Sequence, residues 1–253
     1  MPVITVSQSC FDVDVNSGEV YPVDSYDVCF EGNPPFARCF MPADSLRTGC
    51  SVVALPGGGY GGLVFRQGGY DWASFFNKKG IALFVLHYRF PEGDCRRPIA
   101  DVRKMFDLIK RNALEWRCDT AQMGIMGFSA GGHLVASLGT LLPKAQRPNA
   151  LVLGYAATLG AMWTVAGRQE PDLHALVDDD TPPTFLFATQ GDALVPVKNS
   201  LVFADALADH NIPFALHIFP TGAHGISLAT ACTSGPESSR VNPATAPRPA
   251  DER

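Results

Sequence analysis

The chain has 253 residues, room for one large α/β domain or two small ones, and its 46% hydrophobic and 18% charged content supplies enough apolar material for a core without staples. A formal charge of −5 with no run of Lys and Arg speaks against a nucleic-acid partner, because phosphate binding depends on clustered cations. No window reaches the roughly 18 apolar residues of a membrane span, and no basic stretch followed by an apolar one opens the chain, so a cytoplasmic protein with no membrane partner is expected.

In chain order, the first apolar runs are 3–6, 25–30 and 37–40, separated by Asn16-Ser17-Gly18 and Gly32-Asn33-Pro34-Pro35. This predicts antiparallel strands leading into a sheet. The runs 51–55, 82–86, 122–126, 150–153, 184–188 and 215–219 are rich in β-branched and aromatic residues and do not alternate, which is how strands buried on both faces of a parallel sheet read. Helical patterns lie between them. The clearest is 98–116, opened by Pro98, with Ile99, Val102, Phe106 and Ile109 recurring at three- and four-residue spacing. The expected class is α/β: a mostly parallel central sheet with helices on both faces and antiparallel N-terminal strands, in one domain over residues 1–233. Residues 154–180 are expected to form a short cap, and 234–253, with four prolines and Val241 as their one sizeable apolar side chain, a disordered tail. Cys10, Cys29, Cys39, Cys50, Cys95, Cys118 and Cys232 are scattered without a C-x-x-C pair, which indicates neither a disulfide framework nor a zinc site.

Gly127-Phe128-Ser129-Ala130-Gly131 follows the run 122–126 and precedes the helical run 134–142. A sharp strand-to-helix turn of this kind presents a serine as nucleophile, with flanking glycines where a Cβ would collide; a glycine-rich turn with an ordinary helix-capping serine is the plainer reading. A serine hydroxyl needs a hydrogen-bonded base, itself oriented by a third group. Asp192 follows the run 184–188 where the strand would deliver it to the carboxyl end of the sheet, and is the expected acid; Asp178, Asp179 and Asp180 precede that strand and read as a solvated loop. Among six histidines, His87 precedes the serine, His174 precedes the acid, His210 ends a helix and His217 lies inside a strand. His224, in the glycine-flanked loop after 215–219, is the expected base, and His133, four residues after the serine, is expected to pack or support. The run Leu55-Pro-Gly-Gly-Gly-Tyr-Gly-Gly62 can turn backbone N–H groups inward, so Gly58 or Gly59, with Ala130, are expected oxyanion donors. A phosphate-cradling loop would need G-K-[ST] or G-x-G-x-x-G, and neither is present.

P-G-G-G-Y at 56–60, H-Y-R at 87–89, G-F-S-A-G-G-H at 127–133, D-T-P-P-T-F-L at 180–186, G-D-A-L-V-P-V-K-N-S at 191–200 and F-P-T-G-A-H-G at 219–225 together resemble the bacterial carbohydrate-esterase branch of the α/β-hydrolases, acetylxylan-esterase-like and similar to the broader hormone-sensitive-lipase group. The resemblance runs over residues 52–228. It implies a serine esterase that removes acetyl or other short acyl groups from sugar hydroxyls, with Ser129, Asp192 and His224 on the triad positions and Gly58, Gly59 and Ala130 on the oxyanion-hole positions; with no ligand cluster in the sequence, no metal and no cofactor are expected. A peptidase or amidase on the same triad and a catalytically silent scaffold are the other readings. Two features depart from the pattern. Pro56 stands where lipase-like relatives carry histidine, and the proline-rich tail replaces their final helix, so a homo-oligomer covering the surface left open is expected.

Overall fold

The computed structural model describes residues 10–23, 35–92, 95–165 and 169–229; the runs 3–6 and 25–30 and the tail 234–253 lie outside the described residues. The expected class is what it shows. Among the described residues nine strands form one sheet: β1 (Cys10–Asp14), β2 (Val20–Pro22), β3 (Phe36–Phe40), β4 (Ser51–Leu55), β5 (Ala82–His87), β6 (Met123–Phe128), β7 (Ala150–Gly154), β8 (Thr184–Thr189) and β9 (Phe214–Phe219), in the order β2-β1-β3-β5-β4-β6-β7-β8-β9. The first three strands are antiparallel and β5 to β9 run parallel with β4 between them. All six residues of β5 are buried, as its unbroken apolar run requires.

β1 and β2 are strands that the sequence reading left unassigned. Their hairpin turns at Asn16-Ser17-Gly18, where Asp14 Oδ1 accepts the amides of Asn16 and Ser17 and Gly18 takes a positive φ of 77°. The predicted helix 98–116 is two pieces, α2 (Arg96–Arg111) and α3 (Ala113–Trp116). Asn112 interrupts it: its backbone leaves the helical region and its side-chain amide donates to the Leu108 carbonyl, competing with the helix ladder. Trp116 then turns inward against Phe11 and Phe84.

The two sheet faces are covered unequally. α2, α4 (Ala130–Thr140) and α5 (Lys198–Asp209) pack Val102, Phe106, Ile109, Leu134, Leu138, Phe203 and Leu207 on one face, against Val53, Leu55, Phe84 and Leu86. On the other, α1 (Ala73–Asn77) and the turn before it place Trp72, Ala73 and Phe76 over Leu83, Val85, Met126 and Phe128. Among the described residues nothing covers the β8–β9 end of that second face: paired strand positions share a face, so Phe185, Ala215, His217 and Phe219 point the same way, and Phe185 is 40% and Phe219 46% exposed. No helix of the described residues is long and apolar enough to cross a membrane.

Candidate active site

Ser129 sits between β6 and α4 with φ 55° and ψ −119°, outside the wells that L-residues favour. Packing enforces this. A Cβ at Gly127 would lie 2.3 Å from the Gly131 carbonyl oxygen, and one at Gly131 would lie 2.0 Å from that of Leu55, so G-x-S-x-G records two backbone approaches that admit no side chain. The turn is fastened on both sides: the Ser129 amide donates to the Gly154 carbonyl on β7, and the Ser129 carbonyl accepts the amides of His133 and Ala157.

Asp192 comes off the end of β8 and its side chain is 1% exposed. One oxygen, Oδ1, accepts the amides of Leu194 at 2.9 Å and Val195 at 2.8 Å. The other, Oδ2, lies 2.7 Å from His224 Nδ1, and His224 Nε2 lies 2.9 Å from Ser129 Oγ. A single line of hydrogen bonds therefore joins three residues from the ends of three strands. The loop carrying His224 is held by Thr189 Oγ1, which donates to the Gly222 carbonyl, and by Trp72 Nε1, which donates to Ser227 Oγ at 3.0 Å. Tyr155 stands edge-on to the His224 ring at 4.9 Å between centroids; burial pushes its hydroxyl well above the ordinary phenol range.

The loop after β4 lies against the serine. A Cβ at Gly57 would come within 2.7 Å of the Phe128 carbonyl oxygen and 3.0 Å of Ser129 Cβ, while Gly58 and Gly59 take positive φ of 137° and 63°. Ala130 is the first residue of α4, whose N-terminal amides carry the positive end of the helix dipole. Gly58, Gly59 and Ala130 thus belong to the two segments that flank Ser129.

The remaining candidates separate from this cluster. Asp178, Asp179 and Asp180 pair with Arg147, His210 and Lys144 ahead of β8, and hydrogen bonding from Arg147 holds the Asp178 carboxyl down to about 2. His87 is buried between Phe36 and Phe65, with Nε2 2.7 Å from the Tyr70 hydroxyl. His133 is buried, with Nδ1 2.9 Å from the Tyr60 hydroxyl. Tyr60, Tyr88 and Tyr155 were not singled out from sequence. P-G-G-G-Y and H-Y-R contained the first two, but nothing local shows where a tyrosine hydroxyl ends. Among the described residues no three His, Cys, Asp or Glu side chains are grouped so as to hold a metal ion.

A mostly parallel sheet with antiparallel leading strands, a strained serine between strand and helix, and acid and histidine on the loops after two later strands make up the architecture of the α/β-hydrolases. Residues 39–155 match the family model described as BD-FAE. The chain is 34% identical over 211 residues to an acetylxylan esterase of Xylanibacter ruminicola, covering 76% of this chain and 44% of that one. It is 31% identical over 224 residues to endo-1,4-beta-xylanase B of Butyrivibrio fibrisolvens, covering 77% and 35%. The chain thus spans less than half the length of these two curated relatives. Among solved structures, the acetyl ester-xyloside bifunctional hydrolase of Caldicellulosiruptor lactoaceticus superposes with a TM-score of 0.71 at 31% identity, over 83% of this chain and 87% of that one. The chain belongs to the α/β-hydrolases and is similar to the acetylxylan-esterase-like carbohydrate esterases among them.

Proposed function

We propose that the protein is a serine carboxylic-ester hydrolase that removes short, acetyl-type acyl groups from carbohydrate hydroxyls through an acyl-enzyme. The observation that carries this reading is the unbroken line Asp192–His224–Ser129. Ser129 Oγ attacks the ester carbonyl as its proton passes to His224 Nε2, and the buried Asp192 carboxylate stabilises the imidazolium so formed. Negative charge gathers on the carbonyl oxygen, where the amides of Ala130 and of Gly58 or Gly59 receive it. The intermediate collapses, the C–O bond to the sugar breaks, and the leaving oxygen takes the proton from His224. Water then attacks the acyl-Ser129 ester by the same route and releases the carboxylic acid. Sugar esters are favoured as substrates by the kinship with a protein named acetylxylan esterase and with one named acetyl ester-xyloside hydrolase.

The test is turnover of p-nitrophenyl acetate, butyrate and octanoate, an acetylated xylo-oligosaccharide and a peptide anilide, with Ser129→Ala as control. Acetyl release from the oligosaccharide, lowered by as much as about 10⁶-fold in Ser129→Ala, is expected. Cleavage of the anilide alone, or more than a few per cent of turnover left in the variant, sinks the reading.

A cytoplasmic location is part of the same reading, supported by the unoxidised thiols of Cys10, Cys39, Cys50 and Cys118 among the described residues, which suit a reducing compartment. So is a homo-oligomer in which β9 pairs antiparallel with β9 of a second copy. Among the described residues β9 pairs only with β8, it contains no Lys, Arg, Asp, Glu or Pro to discourage an added strand, and the open face carries Phe185 and Phe219.

A further inference from the structure

The oxyanion loop presents a mechanical problem. Five of the seven residues from Pro56 to Gly62 are glycine, so the segment has little stiffness of its own, yet donors stabilise a transition state only if they are already in place when charge develops. The two sets of amides also belong to separate elements, one to the loop after β4 and one to α4. Something must hold them in register.

Two tyrosine hydroxyls tie that loop to its surroundings. Tyr88, fully buried just past β5, donates to the Pro56 carbonyl at 2.6 Å. Because the peptide unit is planar, fixing that carbonyl fixes the direction of the Gly57 N–H on the other side of the bond. The same carbonyl oxygen would be 2.6 Å from a Cβ on Gly131, so it is pinched between Tyr88 and the first turn of α4. Tyr60 follows Gly59 directly and takes a left-handed φ of 59°, a conformation that a bulky residue keeps only under constraint. Its ring turns into the core against Trp163, at 5.2 Å between centroids, and meets Tyr88 edge-on at 6.2 Å. Its hydroxyl stands 2.9 Å from His133 Nδ1. His133 is on α4, three residues after Ala130, and its amide donates to the Ser129 carbonyl. The Tyr60–His133 contact therefore joins the loop to the helix that follows the serine.

We propose that Tyr60, through His133, and Tyr88, through the Pro56 carbonyl, are positioning residues that lock the oxyanion loop onto α4. The proposal rests on the esterase reading for its catalytic consequence but not for its structural one. Tyr60→Phe and Tyr88→Phe keep the buried rings and remove one oxygen each. Amide hydrogen exchange in the peptide covering residues 56–62 is expected to quicken in both variants, with β5 and β6 unchanged. On p-nitrophenyl acetate each variant should lose about 10- to 100-fold in kcat with KM within about twofold, as a small displacement of a catalytic donor does. Affinity for a trifluoromethyl ketone transition-state analogue should fall in parallel with kcat/KM. Loop exchange unchanged in both variants overturns the clamp whatever the activity. Faster exchange with kcat within twofold of the parent overturns its catalytic role. If the parent protein hydrolyses no ester, the esterase reading fails by itself, and exchange decides the clamp.

Discussion

Replacing Asp192 with asparagine should lower kcat by about 10⁴-fold, roughly 5.5 kcal/mol of transition-state stabilisation, with little change in KM or in the fold. The structure dictates which way the new amide must point. Oδ1 faces two backbone donors, the amides of Leu194 and Val195, whereas Oδ2 faces only His224 Nδ1. Placing the NH2 toward Leu194 and Val195 would set donor against donor at both amides and strand the buried one of Val195, at about 1–3 kcal/mol. The introduced asparagine would therefore keep its oxygen there and turn its NH2 to His224. Nδ1 must then accept, which moves the ring proton to Nε2, and a protonated Nε2 donates to Ser129 Oγ where it should receive that group's proton. The substitution leaves every partner in place and inverts both hydrogen bonds of the histidine ring. Steady-state kinetics on p-nitrophenyl acetate beside thermal melting is the assay. Turnover within tenfold of the parent, at an unchanged melting temperature, would refute the argument that Asp192 sets the histidine tautomer.

Gly131→Ala should destabilise by about 1–3 kcal/mol, because its methyl would meet the backbone oxygens of Leu55 and Pro56, which cannot swing aside as a side chain would. Gly59→Ala, with nothing within 4 Å and only a left-handed φ to maintain, should cost about 1–2 kcal/mol from backbone strain, so a melting shift for Gly131→Ala equal to or smaller than that for Gly59→Ala contradicts the packing account. Burial, and secondarily the charge of Arg38, hold the His87 pKa well below the ordinary histidine value, so the folded protein stays unprotonated where the unfolded chain takes up a proton. Its contribution is complete above about pH 6.5 and is lost as pH falls from there toward the folded pKa, at up to about 1.4 kcal/mol per pH unit. His87→Gln should flatten that slope in urea titrations between about pH 6.5 and 5, and an identical slope disproves it. Light scattering at micromolar concentration should give a multiple of 27.1 kDa that Phe219→Asp reduces to one chain mass; a monomeric parent rejects the β9 pairing.

The strand cores were legible because burial on both sides leaves an unbroken apolar run, and the predicted ranges from 51 to 219 fall within a residue or two of the observed strands. Ser129, Asp192 and His224 could be singled out for a related reason. Each follows closely on a strand, so the local sequence shows both the residue and the end of the sheet it leaves from. The hairpin of β1 and β2 was less visible because short strands depend on their partners more than on their own pattern. The break at Asn112 was missed because the apolar spacing continues through it to Trp116, while the competing hydrogen bond is made by one polar side chain.

What the sequence determined by itself is therefore what neighbouring residues can encode: strand periods, the glycines of the elbow, and the order of serine, acid and histidine. What only the tertiary structure decided are the contacts between distant segments. Asp12 and Arg38 form a buried pair across β1 and β3, Tyr60 finds His133 from 73 residues away, and Tyr88 finds the Pro56 carbonyl from 32. The open face over β8 and β9 is likewise a property of the assembled layers, since Phe185 and Phe219 read from sequence as core residues no different from Phe84 or Phe128. A side chain's type and spacing say that it will be buried or hydrogen-bonded, but its partner is set by where the whole sheet brings the chain back.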